Sequence, residues 1–158
     1  VAEATPSAAD TKDREIIITR VLDAPRELVW KALTDPEHLI KWWGPRGFTN
    51  TFHEIDVRPG GTWHFIMHGA DGVDYDNLVT FEEVAPLERL VYQHGTSDTP
   101  GQFQATITLA DRGGKTEITL RSLFPSTADR DFAVREIGAV EGANSTLDRL
   151  EEHLATMR

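Results

Sequence analysis

The chain contains no cysteine, which excludes a disulfide framework and all thiolate chemistry, catalytic or metal-binding. No apolar run approaches the roughly 18 residues of a membrane span, so no transmembrane segment is expected. Basic residues are scarce: 16 Lys and Arg stand against 26 Asp and Glu, a formal charge of −10. Phosphate backbones and anionic lipid surfaces repel such a charge, which argues against nucleic-acid and peripheral-membrane partners. Residues 1–13, VAEATPSAADTKD, lack the apolar core of a signal peptide and read as a disordered polar tail. A reducing cytoplasm fits these absences and is the expected location.

What is present is ordinary for a globular protein. Of 158 residues, 39% are hydrophobic and 27% charged, enough for one domain, over 14–158, that buries roughly 70% of its unfolded surface. Glu15 to Val21 is rich in β-branched residues and predicts a first strand. Asp23 is the expected N-cap of a helix with Pro25 just inside it, and Asp35-Pro36 ends that helix and caps a second short one reaching about Trp42. Gly44-Pro45 stops the second helix. From Phe48 to Phe124 the period changes to two, with strands near 49–57, 62–68, 75–84, 89–94, 102–110 and 115–123. Ser126 to Ile137 reads as helix. Val140, Ala143, Leu147, Leu150 and Leu154 then step by three and four along one face of a long C-terminal helix. Gly138 and Gly142 lie one turn apart, read either as close packing on the sheet or as room for a ligand.

The most informative stretch runs from Asp56 to Gly72. Arg58-Pro59-Gly60-Gly61 supplies the fixed φ and the permissive φ of a tight turn. The following strand places Trp63, Phe65 and Met67 on one face and His64, Ile66 and His68 on the other. The bulky row resembles the wall of a cavity. The order of elements predicts an α+β fold: a curved antiparallel sheet of about seven strands wrapped around the last helix, with two short helices after strand one.

Those segments resemble a known family. Ala24-Pro-Arg-Glu-Leu-Val-Trp-Lys-Ala-Leu-Thr-Asp-Pro36, Trp42-Trp43-Gly44-Pro45, Asp56-Val-Arg-Pro-Gly-Gly61 with Trp63, and Asp71-Gly72 match it in order. So do Pro86-Leu-Glu-Arg-Leu90 and Glu141-Gly142 with Leu147 and Leu150. The chain is similar to the SRPBCC (START-like, helix-grip) superfamily. Within it, the chain resembles bacterial stand-alone members of the family named for the activator of heat-shock protein 90 ATPase. The resemblance implies a pocket for small apolar molecules between sheet and helix. It brings no fixed catalytic set, because fold does not imply function.

Read on this frame, the pocket lining is Trp63, Phe65, Met67, Val79, Phe81, Phe103 and Ile107, with His53, Tyr75, Asn77 and Tyr92 as polar contacts. Strand parity groups His53 with Ile55 and Val57 and turns it inward. Leu90, Tyr92 and His94 share a face on their own strand. His64 and His68 sit four apart on a strand, about 13 Å, too far to share one metal ion. No metal or cofactor is expected, and no nucleophile motif, carboxylate dyad or phosphate-binding loop occurs. The expected function is non-enzymatic binding of a small hydrophobic or amphipathic molecule. The alternatives are an enzyme using the same pocket in the manner of a cyclase, dehydratase or hydrolase, and a co-chaperone-like interaction module. A homodimer is compatible with the sequence, and heat-shock protein 90 enters as a partner by family analogy alone.

Overall fold

The computed structural model describes residues 11–157. Strand β1 (Glu15–Leu22) leads into helices α1 (Arg26–Thr34) and α2 (Pro36–Trp42). Six strands follow: β2 (Thr49–Ile55), β3 (Thr62–His68), β4 (Asp74–Ala85), β5 (Arg89–Gly95), β6 (Phe103–Arg112) and β7 (Lys115–Leu123). Helix α3 (Thr127–Phe132), a π-helical turn (Ala133–Ile137) and the long α4 (Ala139–Thr156) complete the described residues. The seven strands form one curved sheet in the order β1-β7-β6-β5-β4-β3-β2, every pair antiparallel. Successive strands pair because short turns leave no other economical choice. Only β1 departs from the meander, returning to close the far edge against β7.

One face of the sheet packs on α4, and its alternating residues supply the core. Along β3, Trp63 and Phe65 are buried whereas His64 and Ile66 are not. From α4, Leu147, Leu150 and Leu154 meet that face and are essentially inaccessible. Arg20 on β1 reaches across to Asp148 at 2.7 Å and ties the helix to the sheet edge.

The local chemistry departs from expectation in three places. Helix α1 is capped by Pro25, not Asp23: the Pro25 carbonyl accepts from Leu28 and Val29, with no side-chain cap. Asp23 lies too early in the chain to serve. Asp35 does cap α2, accepting from the Glu37 amide at 3.0 Å. The segment expected as one helix over 126–137 is α3 followed by the π turn, and Gly138 ends it in the left-handed region at φ +70°. Gly138 therefore separates two helices instead of lying within one, while Gly142 packs on Pro45. Of the expected tail, residues 1–10 lie outside the described residues. Lys12–Arg14 instead forms a 3-10 turn, and Thr11 is fully buried, with its hydroxyl bonded to Glu15 and Arg121.

The turn from Asp56 to Gly61 needs its two glycines for different reasons. Gly60 adopts φ +81° with open space around it. At Gly61, a Cβ would overlap the Asp56 carbonyl oxygen. The turn is held to β4 by Gly60 N–H to the Phe81 carbonyl at 2.8 Å and Phe81 N–H to the Gly61 carbonyl at 2.9 Å.

Candidate functional site

The concave face changes character along its strands. Register places Trp63 beside Val79, Phe65 beside Asn77 and Met67 beside Tyr75. Phe81 pairs with Tyr92, Leu90 with Ile107, and His94 with Phe103. Trp63, Phe65, Val79, Phe81, Leu90, Tyr92 and Ile107 are all buried. Two residues further along the same strands, Met67, Asn77, His94 and Phe103 are only partly covered, and Tyr75 is 44% exposed.

Helix α4 explains the difference. Its C-terminal half carries Leu147, Leu150 and Leu154 and lies at the α2 end, where His153 meets His38. Its N-terminal half carries the small residues Ala139, Gly142 and Ala143 beside Val140 and Asn144. Gly142 packs on Pro45, and the adjacent Gly44 lies against Met67. The grip is therefore packed with leucines at one end, while at the other Met67, Asn77, His94 and Phe103 are only partly covered.

The filled end is aromatic. Trp63 stacks on Phe65 with ring centroids 4.1 Å apart. Trp43 meets Trp63 edge-on at 5.1 Å and Phe52 does so at 5.3 Å, so both occupy space beside the expected lining. Arg149 of α4 fixes the Trp43 segment by donating to the carbonyls of Lys41, Trp43, Gly44 and Pro45. Arg46 adds an ion pair with Glu152. The indole N–H of Trp63 and the side-chain oxygen of Asn50 are sealed without a partner among the described residues. Two hollows lie at the edges of this interior. One, of about 210 Å³, runs between Arg14, Gln102, Phe103 and Phe124; the other, of about 220 Å³, lies between Val21, Asp23, Glu151 and Leu154.

At the mouth, polar groups are set in an apolar wall. The Asn77 amide nitrogen donates to the Tyr75 carbonyl at 3.0 Å, which turns its oxygen toward His94 Nε2 at 2.9 Å. The His94 ring sits among Phe65, Tyr92 and Phe103 at 6.2, 6.2 and 5.1 Å. Burial pushes His94 down to about 4, so it is neutral near pH 7. Burial also raises the Tyr92 phenol, which stays protonated.

Two of the expected polar contacts are placed differently. His53 is exposed and faces outward, because the register shifts between Phe52 and Glu54. This bulge turns Phe52 and Ile55 toward the core and breaks the parity that placed His53 with Ile55. Its ring lies 5.1 Å from His64 on the outer face. Tyr75 stands at the rim and leans on Phe48, with centroids 5.8 Å apart. The structure adds His94 to the expected contacts, on the same face of β5 as Leu90 and Tyr92.

The outer face holds a second polar group. His64 Nε2 meets Asp76 at 2.7 Å and the Ser97 hydroxyl at 3.2 Å. A serine relay needs two different ring nitrogens, one for each partner, and here one nitrogen serves both. The Ser97 backbone N–H, and after it His64, hold the Asp76 carboxyl below the usual carboxylate range. His68 bonds Asp74 at 2.7 Å and Thr51 at 2.7 Å.

Known proteins fit this architecture. A structure from Nitrosomonas europaea is 29% identical, covering 92% of this chain and 96% of its own, with a TM-score of 0.82. One from Mycobacterium smegmatis is 26% identical over 94% and 96%, with a TM-score of 0.85. A protein from Silicibacter pomeroyi described as AHSA1 shares the fold at 21% identity over 91% and 99%, with a TM-score of 0.74. No curated protein matches the chain. No helix among the described residues is long and apolar enough to cross a membrane. The family model described as activator of Hsp90 ATPase homolog 1-like protein matches residues 23–155, and the chain belongs to that family.

Proposed function

We propose that this protein binds a small, largely apolar molecule at the partly covered end of the grip, beside Met67, Asn77, His94 and Phe103 of the sheet and the small-residue half of α4. The observation that carries this reading is the neutral His94–Asn77 pair set in an aromatic wall. A few fixed polar groups in an apolar surface are how such sites orient a ligand. Trp63, Phe65, Val79, Phe81 and Ile107 serve as the rigid floor of the site, and Tyr92 joins the polar contacts in place of His53. The enzyme reading calls for a carboxylate beside an inward histidine or beside Tyr92. His94 meets an amide instead, and His64, which meets a carboxylate, faces outward.

Titration with the uncharged fluorophore N-phenyl-1-naphthylamine tests the proposal. Binding at micromolar strength is expected, and Ala143→Phe, which fills the mouth from the helix side, is expected to abolish it while leaving the fold intact. No binding, or equal binding to both proteins, overturns the reading.

A further inference from the structure

The mouth carries a defined pattern of hydrogen-bonding valences. Asn77 has no choice of orientation: its amide nitrogen is spent on the Tyr75 carbonyl at 3.0 Å, and only its oxygen faces His94. An oxygen can only accept, so His94 Nε2 must carry the proton. In the neutral ring the other nitrogen, Nδ1, is then a lone-pair acceptor. Neither His94 Nδ1 nor the Tyr92 hydroxyl has a hydrogen-bond partner among the described residues. The fully sealed orphan atoms are Asn50 Oδ1 and Trp63 Nε1, so these two retain access to solvent. Tyr92 and His94 lie two apart on β5 and point the same way, with ring centroids 6.2 Å apart.

We infer that the ligand is an uncharged molecule whose apolar body carries a hydroxyl group, donating to His94 Nδ1 and accepting from the Tyr92 hydroxyl. This inference rests on the ligand site proposed above. A hydroxyl is the smallest group that both donates and accepts, so it satisfies both orphan valences at once. A carboxylate has no proton for Nδ1, and its charge would face the histidine lone pair. None of the residues Met67, Asn77, His94 and Phe103 is a lysine or arginine. Arg14 lines the neighbouring hollow with Phe103 and Phe124 and is engaged there, donating to the Phe124 carbonyl at 3.0 Å. The aromatic rings around His94 suit a flat apolar body.

Three probes of one shape test this at pH 7: 2-naphthol, naphthalene and 2-naphthoate, titrated by calorimetry. The expected result is 2-naphthol binding at least tenfold tighter than naphthalene, with 2-naphthoate weaker than both. Long-range proton–nitrogen spectra should show the His94 Nδ1 resonance shifting with 2-naphthol and not with naphthalene. His94→Phe should erase the preference for 2-naphthol while keeping naphthalene binding. Equal binding of naphthol and naphthalene, tight binding of naphthoate, or a silent His94 resonance overturns the hydroxyl assignment and leaves the site standing. If none of the three binds, the site itself is wrong and the assignment falls with it. The wild-type comparison stands even where His94→Phe fails to fold.

Discussion

His38 and His153 face each other across α2 and α4, Nδ1 to Nε2 at 3.0 Å. One proton can be shared between them, but two positive rings at that distance repel. Desolvation, then the neighbouring His38 and Lys41, lowers the affinity of His153 for a proton. His94 is lowered as well, to about 4, by burial.

Both shifts act in the same direction on stability. A histidine whose folded pKa is depressed binds fewer protons folded than unfolded, so acid favours the unfolded chain. Its stabilising contribution is present above about 6.5 and is lost as pH falls toward the folded value. For His94 that window is roughly 6.5 down to 4, and the loss amounts to at most about 3 kcal/mol. Urea unfolding at pH 7.5, 6 and 4.5 should show this decline, and His94→Gln should flatten it. An unchanged slope in the variant would place the acid sensitivity elsewhere.

The buried and partly covered ends of the grip should respond differently to truncation. Leu150 is completely buried, and Leu150→Ala is expected to cost about 2–5 kcal/mol. Phe65, equally buried under Trp43 and Phe52, should show the full penalty of about 3–5 kcal/mol on conversion to Ala. Phe103 is only partly covered, and Phe103→Ala should fall well below that range. Chemical denaturation of the three variants ranks them directly.

Trp63 gives an unusual expectation. Its N–H is buried without an acceptor, a penalty of about 1–3 kcal/mol in the native state. Trp63→Phe removes that donor along with some apolar contact, so the two effects oppose. The substitution should change stability by less than about 1 kcal/mol, against about 3–5 for Trp63→Ala. Thermal melts of the pair decide the matter.

The neighbouring glycines of the β2–β3 turn should also separate. Gly60→Ala forces a side chain into φ +81° in open space, at about 1 kcal/mol. Gly61→Ala must displace backbone at Asp56, so it should cost more. Gly60→Asn should be milder than Gly60→Ala, since asparagine tolerates the left-handed region. Equal melting temperatures for the two alanine variants would contradict this.

Arg149 holds four consecutive-turn carbonyls without a carboxylate. Arg149→Met should destabilise by about 1–3 kcal/mol and red-shift tryptophan emission as Trp43 gains solvent. Arg149→Lys should not restore the wild-type spectrum, because a compact ammonium cannot span the same fork of acceptors.

Strand positions were legible in the sequence because alternation is a local signal: β3 and β7 fall where Trp63-His64-Phe65 and Ile118-Thr119-Leu120 put them. His53 was misread because a bulge adds one residue to β2 and inverts the parity beyond it, and no turn residue marks the insertion. The π turn was hidden for a similar reason, since Ala133 to Ile137 has ordinary helical composition. The filling of the interior by Trp43 depends on Arg149, more than a hundred residues away in sequence. Such long-range pairing leaves no trace in periodicity. The parity of His94 with Tyr92 is local, but its importance rests on Asn77, seventeen residues earlier on the adjacent strand.

The division of α4 into a leucine half and a small-residue half has an evolutionary consequence. Residues that hold the fold and residues that face the mouth occupy successive positions on the same strands, yet they draw on separate reserves of free energy. A change at Met67 or Phe103 alters the shape presented to a ligand while leaving Leu147, Leu150 and Leu154 seated in the core that also holds Phe65 and Ile107. Most substitutions in a solid core must be purged because native stability is small. Here selectivity can drift at one end of the sheet without drawing down the reserve kept at the other, and one scaffold can pass through many chemical niches.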